Sequence, residues 1–398
     1  MNRVLLLTLS ILCMSCMAYA ADTPPAEVPG VSYDVQLETI TSGFDKEMCW
    51  VHSRAGTIPG DTPIVVLTMQ KLLLSGSDIF YGLNEMRTDD LGKTWTGPVE
   101  HETLGRRPVD EEVVAVICDF TPKWHAKTGK LLGTGHSARY RDNKLIHVRK
   151  RYTAYSVYDA ETRTWASWKR MEMPDDPKFY NAGAGSTQRV DLPNGDILLP
   201  IYFKAEGETQ NTVTVARCSF DGQTLSYLEH GNEMTVAVQR GFVEPSLALC
   251  KGRYFLTLRN DEAGYVTSGE DGLHFDEPVK WRFDDGRELG NYNTQQHWVV
   301  HDDALFLVYT RRGLDNDHVF RHRAPLVMAQ VDPERLCVLG ETERILVPER
   351  GARLGNFGVV DVTENETWVT VAEWMQPRGC EKYGSDNSVY AARIQWKD

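Results

Sequence analysis

Thr88-Asp89-Asp90-Leu91-Gly92-Lys93-Thr94-Trp95 follows the pattern Ser/Thr-x-Asp-x-Gly-x-Thr-Trp, the signature of a tight connection between two β-strands. The Asp carboxylate can accept backbone N–H groups inside the turn, the Gly supplies a positive φ, and the aromatic packs between strands. Weaker copies follow at Tyr158-Asp159-Ala160-Glu161-Thr162-Arg163-Thr164-Trp165 and Ser219-Phe220-Asp221-Gly222-Gln223-Thr224-Leu225. A further one is Ser268-Gly269-Glu270-Asp271-Gly272-Leu273-His274-Phe275. A turn device that recurs between strand-like runs points to a fold assembled from repeated antiparallel units. Its role is in folding, not in catalysis.

Short apolar or alternating runs fill the chain between these turns. They include Ile64 to Met69, Val113 to Cys118, Ile197 to Phe203, Thr212 to Cys218, Tyr254 to Leu258, Ala304 to Tyr309, Leu326 to Val331 and Trp368 to Ala372. Gly, Asp, Asn and Pro clusters separate them, and a helical period is rarely sustained. The fold class is therefore all-β: a sandwich, barrel or propeller, with the repeat favouring the propeller. With 398 residues, 41% hydrophobic and 25% charged, the composition is globular and excludes disorder, collagen and coiled coil as whole-chain descriptions. The formal charge of −13 makes nucleic acid and anionic membrane poor partners.

Residues 1–20 read as a secretory signal peptide, with Arg3 at the start, an apolar core from Val4 to Leu12 and a small-x-small site at Ala18-Tyr19-Ala20. Export places the protein outside the cell or in a periplasm. Lipidation at Cys16 is the weaker alternative, because the residues before it suit such a site poorly. Residues 21–44 form a Pro-rich lead-in, and 45–398 a single domain. Six cysteines remain after the leader (Cys49, Cys118, Cys218, Cys250, Cys337 and Cys380), too scattered for a zinc or thioredoxin-like site. No sequence signature calls for a metal or another cofactor. Oligomeric state is left open.

With these repeats, residues 45 to 395 resemble the sialidase-like superfamily of six-bladed β-propellers with BNR/Asp-box repeats. The resemblance implies an exo-glycoside hydrolase that grips an acidic sugar through three arginines, with an Asp acid/base and a Tyr nucleophile assisted by a Glu. Carried over by position, the first arginine is Arg54 in Trp50-Val51-His52-Ser53-Arg54-Ala55-Gly56, although the usual Arg-Ile-Pro is absent. The acid/base is Asp78, ahead of the strand that enters the first box. Glu244 and Arg259, fifteen residues apart, match the assisting Glu and the second arginine. The third arginine is Arg321 or Arg323, with Arg323 favoured. At the Tyr place stands Phe357, which cannot attack a substrate, so either Tyr383 or Tyr292 takes that work or the chemistry differs.

Three histidines (His52, His136 and His297) sit where they can line a site and act as acid, base or neutral donor. A histidine held by hydrogen bonds inside the fold is the ordinary alternative for each. The leading reading is hydrolysis of a glycan's terminal acidic sugar. Two others stay open: a propeller polysaccharide lyase acting on uronic acids, and a carbohydrate-binding propeller without turnover.

Overall fold

The computed structural model describes residues 31–76 and 78–397; the expected leader and Cys16 lie outside them. All the expected apolar runs fall within strands, and these group into six antiparallel sheets. The first holds Met48–Ile58, Ile64–Leu73, Phe80–Thr88 and Thr96–Glu100 in that order. The sheets that follow are built around Val113–His125, Ile197–Lys204, Val243–Cys250 and Leu326–Asp332.

Strands of neighbouring sheets pack side by side, Met48–Ile58 with Val113–His125 and Val243–Cys250 with His297–His301 among them, and Met48–Ile58 also contacts Gly358–Thr363, which joins the last sheet to the first. This is a β-propeller arrangement. Its core is a series of apolar clusters wedged between neighbouring sheets, such as Leu198, Val213 and Phe242 with Leu256, or Phe306, Met328 and Val369 with Ile394.

The last sheet corrects the expected domain boundary. Tyr33–Thr41, placed in the lead-in by the sequence reading, pairs antiparallel with Val389–Trp396, from Tyr33 opposite Trp396 onward. An N-terminal strand completing a sheet whose other strands are C-terminal ties the two ends of the chain together, so the folded domain starts before residue 45.

The quoted turn behaves as its chemistry requires. Asp90 accepts from the Thr94 amide (2.9 Å) and hydroxyl (2.7 Å), Gly92 has φ +84°, and Trp95 packs against Trp368 of the last sheet. Asp159, Asp221 and Asp271 likewise accept backbone N–H groups two and three residues ahead. Asp45, Asp110 and Asp332 make turns of the same kind that the sequence pattern did not reveal. The six cysteines among the described residues are free and buried.

Candidate functional site

Three leading strands break their ladder at the same level. The register shifts between Val51 and Arg54, between Cys118 and Thr121, and between Val243 and Ser246. Each bulge holds one non-glycine residue at positive φ: His52 (+56°), Asp119 (+51°) and Glu244 (+48°). Bulges re-aim side chains, and here all three line one cavity of about 770 Å³.

That cavity carries eight arginines and Lys204 against four carboxylates (Asp78, Asp119, Glu244 and Asp261), a formal excess of five positive charges on a chain of net charge −13. Among the described residues only two of the eight form ion pairs with a carboxylate. Arg240 binds Asp261 bidentately at 2.8 Å, and Arg259 binds Glu244. The 15-residue spacing of Glu244 and Arg259 is a hairpin in which Val243 faces Arg259 across the ladder. Glu244 Oε2 stays buried without a partner.

Asn293, also at positive φ (+54°), clamps the arginine side. Its Oδ1 accepts from Arg259 (2.9 Å) and Arg323 (3.3 Å), and its carbonyl accepts a further Arg323 bond. Burial, with Arg259 and Arg353 nearby, pushes Arg323 well below the usual guanidinium range. Arg353, which the sequence reading missed, lies 4.1 Å over the Trp374 ring and is held down to about 10, mainly by burial. Arg321 lines the same wall over Phe320. Asp78 lines the cavity too, its backbone carbonyl accepting the Tyr140 hydroxyl at 2.7 Å.

Asp119 organises the opposite side and was likewise missed. It accepts Ser186 Oγ at 2.5 Å and lies 3.2 Å from His52 Nε2 and 3.5 Å from His136 Nε2. Burial opposes its ionisation, but His52, His136 and Arg54 outweigh that and hold the carboxyl far down. His136 meets the Tyr202 hydroxyl at 3.2 Å through Nδ1, and burial lowers it to about 3. Arg151 lies 3.9 Å over the Tyr202 ring. Cys118, Asp119 and His136 offer atoms close enough to share a cation. That donor set is poor for a metal, because burial keeps the Cys118 thiol protonated and Asp119 is already engaged.

Gly183-Ala184-Gly185-Ser186 packs against His136. A Cβ on Gly185 would stand 2.0 Å from His136 Nδ1, and one on Gly183 would stand 2.6 Å from His136 Cβ. The glycines admit the imidazole while Ser186 fixes Asp119. Gly185→Ala is expected to cost about 1–3 kcal/mol by overpacking, read as a lower urea midpoint. An unchanged midpoint would show that His136 has room to move.

Seven of the ten expected site residues line the cavity: Asp78, Glu244, Arg259, Arg321, Arg323, His52 and His136. Three do not. Arg54 is wholly buried beneath it, donating to the Phe357 carbonyl (3.1 Å), Ser186 (2.8 Å) and Gln295 (2.8 Å). It acts as a strut between sheets, not as a clamp. His297 is buried between Ser246 Oγ (2.7 Å) and Gln295 (2.7 Å). Burial and Arg54 keep it neutral, so it is a structural histidine. Tyr383 is 44% exposed and packs on His318 at 4.5 Å, away from the cavity. Tyr292 bonds His322 and is not among the cavity-lining residues either. Phe357 is fully buried with its ring against His297, and its neighbour Asn356 lines the cavity.

The bulge level was the missed signal for Asp119. It follows directly on the apolar run Val113 to Cys118, as a polar residue interrupting a core strand. Arg353 stood four residues before the quoted Phe357.

No protein-family model matches the chain, and no curated protein does. Among solved structures, a protein of unknown function from Dyadobacter fermentans shares 13% identity and a TM-score of 0.59, over 93% of this chain and 100% of the other. The Trypanosoma rangeli sialidase shares 13% identity at TM-score 0.58, over 92% of this chain and 60% of that one. The NanB sialidase of Streptococcus pneumoniae shares 12% at TM-score 0.58, over 90% and 70%. The fold is sialidase-like. At these identities the likeness reaches the architecture only, and the chain spans about three fifths of the length of the T. rangeli enzyme.

Proposed function

We propose that the protein is an exported, six-bladed, sialidase-like glycoside hydrolase that acts on a terminal acidic sugar. The observation that carries this reading is the pairing of Arg259 and Arg323 by Asn293, with Arg321 and Arg353 lining the same cavity as Asp78 and Glu244. Guanidiniums bind carboxylates with fixed orientation, and this group would hold a sugar's carboxylate while Phe320, partly exposed on the same wall, offers apolar contact to the pyranose. Six antiparallel sheets support the blade count. Positive charge concentrated in a concave mouth suits a glycan acid better than a nucleic-acid backbone.

In this reading Asp78 protonates the glycosidic oxygen as the anomeric C–O bond breaks. Water then adds to the anomeric carbon and gives its proton to Glu244, which lines the cavity. Neither Tyr292 nor Tyr383, the tyrosines weighed for the nucleophile, lines the cavity, which favours direct attack by water. A second reading, a uronate lyase, draws on one contact: Tyr202 against His136, beside Arg151.

Incubation of the purified protein with acidic glycosides tests both. Hydrolysis releases a saturated sugar acid, and Asp78→Asn abolishes release while binding survives. An unsaturated, ultraviolet-absorbing product would replace hydrolysis with elimination. Binding without any product, in wild type as in Asp78→Asn, would leave a carbohydrate-binding propeller.

A further inference from the structure

The cavity holds more cationic groups than one carboxylate can use, and they fall into two groups. Arg259, Arg321, Arg323 and Arg353 form the clamp described above. Arg149, Arg151 and Lys204 form a second group beside Asn181 and Tyr202. Neither arginine of this group has an ion pair with a carboxylate among the described residues. Arg149 donates to the Ile146 carbonyl and Arg151 to the Tyr202 carbonyl. Arg151 is only 7% exposed, and its Nε, like that of Arg149, is buried without a partner. Lys204 is pulled below its ordinary range by burial and by Arg151, Arg149 and Arg240. Like charges held together at partial burial are unfavourable unless an anion completes them. Arg240 is already neutralised by Asp261, and within the clamp Arg259 is paired with Glu244.

We infer that this mouth has a second oxyanion subsite, formed by Arg149, Arg151 and Lys204, so that its ligand is a glycan bearing two anionic groups on neighbouring sugars. The inference rests on the acidic-sugar reading above and narrows it to polyanionic glycans. The second group is a carboxylate or a sulfate, both of which suit a guanidinium fork.

Calorimetry on the full chain tests it with two probe pairs: galacturonate against digalacturonate, and an unsulfated against a sulfated chondroitin disaccharide. The dianion of at least one pair is expected to bind about tenfold tighter or more, and the pair that shows the gain identifies the oxyanion. In Arg149→Gln and, separately, Lys204→Gln, the ratio of dianion to monoanion affinity is expected to fall to about twofold or less. Equal affinities within both pairs, or a gain that survives both substitutions, would overturn the second subsite while leaving the clamp intact. Binding of none of the four probes would overturn the acidic-sugar reading and this inference with it.

Discussion

Replacing Arg353 with methionine is expected to stabilise the fold and weaken the site at once. Arg353 is 6% exposed, forms no ion pair with a carboxylate among the described residues, and leaves its Nε buried without a partner. Its guanidinium contacts are the Trp374 ring and Gln376 Oε1 at 3.1 Å. A thioether of similar reach keeps the contact with Trp374 and removes the desolvated charge, for a gain of about 1–2 kcal/mol. Loss of a charge-assisted bond to the ligand's carboxylate would lower its affinity by about a hundredfold. Urea unfolding and calorimetry on the same preparation check the two halves. Destabilisation with unchanged binding would mean that Arg353 is a structural strut like Arg54. The same logic explains why such a residue survives in a buried wall: a site built to meet an anion stays unfavourable until the anion arrives.

Acid is expected to unfold this protein well above the carboxylate range. His136 is held to about 3 and His297 well below its ordinary value, in both cases chiefly by burial. Both are neutral in the native state, whereas the unfolded chain binds a proton at each near pH 6.5. The unfolded state therefore binds more protons as pH falls, and stability falls with it, by up to about 1.4 kcal/mol per pH unit for each histidine. Between pH 7 and pH 5 His136 alone accounts for a loss of about 2 kcal/mol, and His297 and His52, both lowered chiefly by burial, add to it. Asp119, with its carboxyl held far down, adds a further loss at lower pH as the unfolded chain takes up its proton. Urea midpoints at pH 7, 6 and 5 measure the slope, and His297→Gln should make it shallower. A flat profile across that range would show that both imidazoles are accessible to protons in the folded state.

The sequence carried the architecture further than it carried the site. The Asp90 turn and its copies are local devices, held by bonds between residues at most four apart, so they are readable from a short window. Glu244 and Arg259 were also legible, because a hairpin turns a fixed spacing into a contact. Arg54 was not. Two residues earlier in the same strand, the bulge turns His52 into the cavity and leaves Arg54 beneath the floor, and one residue of register decides which faces the ligand. Asp119 depends on Ser186 and His52, each 67 residues away in sequence, and no local pattern announces that meeting. The start of the domain was misplaced for a related reason, since Tyr33–Thr41 finds its partner at the far end of the chain.

The central claim is that the arginine-lined mouth recognises an oxyanion on a sugar. Calorimetry with N-acetylneuraminic acid, galacturonic acid and the neutral counterpart galactose, on wild type and Arg323→Gln, tests it most directly. Saturable binding of at least one acid, absent for galactose and lost in Arg323→Gln, is the predicted result. Binding of galactose as tight as that of the acids, or acid binding that Arg323→Gln leaves unchanged, would contradict it.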